Sequence, residues 1–95
     1  MMTGGLTAEK PPSDKVEQLL QTVKGQVEEK LGRAIGQFKL VSYKTQVVAG
    51  INYFAKMDIG EEELLHVRVY QNLKQNLSLD GIQHPKGREE EIEYF

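Results

Sequence analysis

Val16, Leu19, Leu20, Val23, Val27 and Leu31 recur at offsets of 0, 3, 4, 7, 11 and 15, which is the spacing of one apolar stripe along an α-helix. Lys15, Glu17, Lys24, Glu28 and Lys30 fall on the outside. Ser13 and Asp14 offer N-cap oxygens, and Glu17 stands three residues beyond Asp14, where a capping-box partner would. Gly32 is placed to end the helix in the left-handed conformation. Gly25, inside it, costs roughly 1 kcal/mol against alanine, which the stripe can absorb. The pattern predicts one long helix.

After Gly36 the period drops from 3.6 to 2. Val41, Tyr43 and Val47 share one parity, against Ser42, Lys44 and Gln46; Ile51, Tyr53, Ala55, Met57 and Ile59 alternate with Asn52, Lys56 and Asp58. "DIGEE" at 58–62 reads as a turn, and Leu65, Val67 and Val69 form a third strand with His66 and Arg68 on its polar side. The stretch "NLKQNLSLDGIQHPKGREEE" carries Gly81, Pro85 and Gly87 and reads as including loop, and "IEYF" as a short closing strand. Ahead of the helix, residues 1–12 hold two glycines and a Pro-Pro pair, which suit a mobile or extended arm. The expected fold class is α+β: one long helix packed across a four- to five-stranded antiparallel sheet.

Ninety-five residues make one domain over 1–95. Apolar residues are 39% of the chain and charged ones 27%, a globular balance. Twelve basic and fourteen acidic side chains leave a net charge of −2, so no nucleic-acid partner is expected. No apolar run is long enough to span a membrane. "MMTGGLTAEKPP" lacks the basic and apolar regions of a signal peptide. Cysteine is absent, and a small chain without disulfides is most simply intracellular.

The candidates for catalysis are sparse. There is no thiol, and His66 and His84 are not in a ligand spacing. His66 reads as a surface or partly buried structural histidine, and His84 as a loop residue without an acidic partner at a telling spacing. Ser13 caps a helix, and Ser42 and Ser78 have no neighbouring histidine or aspartate to activate them. Glu61–Glu63 and Glu89–Glu91 with Glu93 suit solvated edges that resist strand pairing better than they suit a metal site. With no nucleophile, base and orienter to assemble, neither an enzyme nor a cofactor or metal site is expected.

One stretch breaks the usual chemistry of turns. In "KTQVVAGIN", between two alternating runs, the residues that must turn are two valines, an alanine and Gly50, where Asn-Gly or Asp-Gly is preferred. Residue types alone leave two readings: Val47, Val48 and Ala49 are buried strand, or they form an exposed apolar tip. An exposed tip points to a partner with a cleft that covers it.

"QVVAG", inside "YKTQVVAGINYFAK", closely resembles the central motif of the cystatin superfamily, and the stefin (type 1) branch fits best. Gly4-Gly5, "VEEKLG", "HVRVYQNL" and the terminal "EIEYF" resemble further stefin segments, so the likeness covers essentially the whole chain. It implies a cystatin fold and reversible, tight inhibition of papain-like cysteine proteases, the cathepsins among them, by a cytoplasmic, mainly monomeric protein. It also implies a wedge of three segments: the arm at Met2, Thr3, Gly4 and Gly5; the tip at Gln46, Val47, Val48, Ala49 and Gly50; and a second loop at Asn72, Leu73 and Lys74. Met2 occupies the position from which the arm fills an apolar pocket. The family's second loop usually carries Leu-Pro. Here the matching pair is Leu73-Lys74, in a loop a few residues shorter, so this loop is expected to contribute less or to select differently. The competing readings are a non-inhibitory binding module on the same scaffold and a domain-swapped dimer without inhibition.

Overall fold

Ser13 Oγ accepts the amide of Val16 at 3.2 Å and starts the first helix, α1 (Asp14–Gln21), in a computed structural model that describes residues 5–95. The stripe is carried by two helices rather than one, since α2 (Lys24–Leu31) follows after a tightened turn. There Thr22 Oγ1 donates to the Leu19 carbonyl at 2.6 Å, and the Val23 amide reaches back only three residues, to Leu20, at 3.0 Å. Such side-chain bonding to the preceding turn competes with the helical ladder. The break leaves the stripe facing inward, with Val16, Leu19, Leu20, Val23 and Val27 all buried. Gly32 ends α2 at φ +86°, as its position predicts. Glu17 does not complete a capping box. Its carboxylate accepts from the Leu40 amide at 3.3 Å and ties α1 to the first strand.

Four strands follow, β1 (Lys39–Val48), β2 (Gly50–Gly60), β3 (Glu63–Gln71) and β4 (Leu77–Lys86), paired antiparallel in chain order. The helices pack over one face, against Leu40, Tyr53, Ala55, Met57, Ile59, Leu65, Val67 and Val69. β4 occupies the stretch that reads as containing loop. It accommodates Pro85 because it is the last strand of the sheet, where a missing amide is tolerated. The register slips beside Gly81, between Arg68 and Val69 of its partner strand. "IEYF" is not a strand, and among the described residues the sheet has four.

The alternation in β1 also reads differently in three dimensions. A register shift between Leu40 and Ser42 accommodates Val41, and the buried positions are Leu40, Ser42, Lys44 and Gln46 rather than the apolar set. The polar side is buried because the C-terminal segment lies across that face. Lys44 Nζ donates to the Ile92 carbonyl at 2.8 Å, and Lys56 Nζ to that of Arg88 at 2.8 Å. Phe54, wholly buried, meets the rings of Tyr94 and Phe95 at 5.6 and 5.7 Å. Arg68, partly buried, lies over Phe54 and Tyr94 and donates to the Phe95 carbonyl, so the cations on this face are partnered by backbone oxygens and aromatic faces. Within the expected 1–12 arm, Thr7 and Lys10 hydrogen-bond to Thr45 and Tyr43 along the outer edge of β1. Glu9 accepts from Ser42 Oγ.

His66 is fully buried on the same face, and neither ring nitrogen has a hydrogen-bond partner among the described residues. Burial, with Lys86 and Lys56 adding to it and Glu90 and Glu9 opposing it, lowers its pKa to about 4. The unfolded chain, titrating near 6.5, takes up the proton first. The stability held by neutral His66 is therefore complete above pH 6.5 and lost as pH falls toward 4, on the order of 3 kcal/mol in all. Asp58, Glu63 and Glu90 are held below their ordinary values, chiefly by the Gly60 amide, by Arg33 and by the Gly87 amide respectively. Their contribution is in place at neutral pH and is lost only as pH falls through the carboxylate range, below about 5, so the interval from 7 to 5 isolates the histidine. Urea midpoints are expected to fall across that interval, and His66→Leu is expected to flatten the fall while leaving neutral-pH stability about unchanged.

Candidate functional site

At one end of the sheet the β1–β2 hairpin closes with Val48 paired to Gly50 and Ala49 alone between them. Val47 is 66% exposed and Val48 40%, so the valines stand in water rather than in the core. One rung below, buried Asn52 donates from Nδ2 to Gln46 Oε1 at 2.8 Å, a polar lock under the apolar tip. The narrowness of the tip depends on Gly50, which lies at φ +115°, a region that side chains rarely adopt. A Cβ there would press into the Gln71 carbonyl oxygen and stand 2.9 Å from Tyr70 Oη. The Tyr70 hydroxyl in turn donates to the Ala49 carbonyl. The hairpin is thereby fastened to β3 at its very end.

The loop between β3 and β4 lies beside it. Asn72 organises this loop: its Oδ1 accepts from the amides of Lys74 and Asn76, each at 2.9 Å, and its own amide donates to the Asn76 carbonyl at 3.0 Å. Gln75 takes the left-handed conformation at φ +70°, a tight reversal stabilised by an asparagine side chain. Leu73, at its crest, is 80% exposed. The tip and this loop share two shallow recesses, one between Ala49, Tyr70 and Leu73 and one between Lys15, Val48 and Gln75. The arm arrives at the same end, since Thr7 bonds Thr45, two residues before Val47, and Gly5 is exposed just beyond. Met2, Thr3 and Gly4 lie outside the described residues. Of the sequence-derived site, Gly5, Gln46–Gly50 and Asn72–Lys74 come together at one end of the molecule.

This end offers contact surface rather than reactive groups. Ser78 Oγ does approach Asp80 Oδ1 at 3.4 Å, without a histidine beside the pair. His84 lies in β4 rather than a loop, and it does have an acidic partner, Glu63, which also accepts from Arg33. That cluster borders a recess of about 530 Å³ between Arg33–Gln37 and Ile59–Glu63, at the other end of β2 and roughly 30 Å of extended strand away from Gly50. Tyr70 was not legible as a site residue, because its contact spans 21 positions. Asn72 carried a readable signal, since asparagine at the head of a loop commonly accepts from amides two or more residues on.

A cystatin-domain family matches residues 4–91. Cystatin-A of Mus musculus is 44% identical over 97 residues, spanning the whole of both chains. Cystatin-A1 of Sus scrofa is 41% identical over 98 residues, all of this chain and 95% of its own. Cystatin-B of Homo sapiens is 39% identical over 98 residues, again across both chains.

The Gly50 contact gives a direct stability test. Gly50→Ala is expected to lower the unfolding free energy by at least about 2 kcal/mol in urea titrations. Gly5→Ala, where an added Cβ meets nothing within 4 Å, is expected to leave it unchanged.

Proposed function

The chain belongs to the cystatin family, as a type 1 (stefin-like) cysteine-protease inhibitor and not an enzyme, and we propose that its three convergent segments act together as a wedge in the cleft of papain-like proteases, cathepsins among them. The observation that carries this reading is the pair of exposed valines on a braced tip. Water penalises that arrangement, and a groove that closes over it is rewarded: a buried valine is worth about 1.5–3 kcal/mol. Val47 and Val48 enter beside the catalytic cysteine, Leu73 and Lys74 contact the primed side, and the arm through Met2, Thr3, Gly4 and Gly5 follows the unprimed side. Residues 1–95 act as a single domain, chiefly as a monomer in the cytoplasm.

Resistance to cleavage follows from the same bracing. Val48 and Gly50 are paired across the hairpin, so the tip offers the nucleophile a closed turn rather than an extended peptide. The Gln46–Asn52, Tyr70–Ala49 and Asn72 contacts order both loops before docking, which reduces the entropy lost on association. The second loop differs from its usual Leu-Pro form in a specific way. The Lys74 amide is used to hold the loop, through Asn72, where a proline would offer none. Lys74→Pro is therefore expected to change the inhibition constant for at least one protease, while an unchanged constant across all those tested would show that residue 74 makes no difference to the loop.

Titration of purified monomer against active-site-counted papain tests the function itself. Stoichiometric loss of activity, reversible on dilution and without cleavage of the chain, is the expected result; full activity at micromolar inhibitor would favour a non-inhibitory binding module. Val47→Ala removes mostly exposed apolar surface, and it is expected to raise the inhibition constant about tenfold with little change in melting temperature.

A further inference from the structure

The two loops of the wedge end carry a single charge between them, that of Lys74. From Thr45 to Tyr53 and from Tyr70 to Leu77 the chain contains no aspartate or glutamate, although it carries fourteen acidic residues in all. The neighbouring carboxylates are largely engaged: Glu9 accepts from Ser42 Oγ, and Asp80 lies 3.8 Å from Arg68. Asp14, exposed beside Lys15 at the start of α1, is the nearby exception. Three of the acids, Glu61, Glu62 and Glu63, lie instead at the β2–β3 turn, at the far end of the sheet. Lys74 is exposed, and its amine has no ion-pair partner among the described residues. Its backbone is fixed through Asn72, beside the crest residue Leu73.

We infer that Lys74 is a specificity-determining contact that favours papain-like proteases whose cleft carries carboxylates on the rim facing the second loop. This inference rests on the inhibitory reading above and adds the chemistry of the preferred partner. A lysine on a pinned loop presents its charge from a defined place, and a positive charge on loops that hold no carboxylate steers encounter with an acidic rim. The cost of leaving an exposed amine unpaired in the free protein is negligible, because water solvates it. Its effect appears as the two surfaces approach within a Debye length, about 8 Å at physiological ionic strength. A protease with a neutral or basic rim gains nothing from it.

Association rates with a panel of papain-like proteases chosen for different rim charge test the inference, measured at about 0.02 M and about 0.5 M salt. Lys74→Glu is expected to slow association with the most acidic-rimmed protease roughly five- to tenfold at low salt. The difference should shrink at high salt and vanish or reverse for the basic-rimmed one. Lys30→Glu on α2, exposed and away from both loops, makes the same change in net charge and is expected to leave the ranking intact. If Lys74→Glu preserves the wild-type ranking and rates across the panel, or if Lys30→Glu matches it, the inference is overturned while inhibition stands. If the wild-type chain inhibits none of the panel, the inhibitory reading itself falls.

Discussion

The closeness of Gly50 to the backbone of β3 is the constraint on which the working end depends. A side chain at that position would collide with the Gln71 carbonyl, and its positive φ would be strained for any residue but glycine. Because Gly50 permits the approach, Tyr70 can reach the Ala49 carbonyl and the turn needs only one residue outside the ladder. Two valines can then be exposed on a tip that is nevertheless held in one shape. Rigidity and exposure together make the tip useful for filling a groove. An exposed but loose tip would lose much of its binding energy to ordering.

The rest of the fold supplies a platform for that end. The helices cover one face of the sheet with an ordinary apolar core, and the C-terminal segment covers the other by a different principle. There Lys44, Lys56 and His66 are buried beside Phe54, and Arg68 is partly buried. Carbonyl oxygens of Arg88, Ile92 and Phe95 receive the cationic groups. His66 alone has both ring nitrogens unpartnered, which leaves it neutral and makes this second layer the acid-sensitive part of the molecule. Among the described residues, the docking end holds no buried histidine.

Much of this was legible in the residues, and the misreadings share a cause. Periodicity located the helical stripe, three of the four strands and the turn at Gly60, because each depends on neighbours within a few positions. It left Val47 and Val48 open between buried strand and exposed tip, and the folded chain puts them in water. Periodicity could not see that Thr22 would bond back to Leu19 and divide the helix. Nor could it see that Val41 would shift the register of β1, or that a tail 48 residues beyond Lys44 would bury that strand's polar side. The proline and glycines of β4 masked a strand that its place at the sheet's edge makes tolerable. Among the site residues, Gln46–Gly50 and Asn72–Lys74 came from the resemblance, whereas Tyr70 required the folded chain.

Hydrogen exchange of the chain, free and bound to a papain-like protease inactivated at its cysteine, shows which end of the sheet the protease covers. Docking by the valine tip and its neighbouring loop is expected to slow exchange at the amides of Gly5–Thr7, Gln46–Ile51 and Gln71–Asn76 and to leave the Arg33–Gln37 and Glu61–Glu63 end unchanged. Slowed exchange at that opposite end, with the valine tip still exchanging as in the free protein, would contradict it.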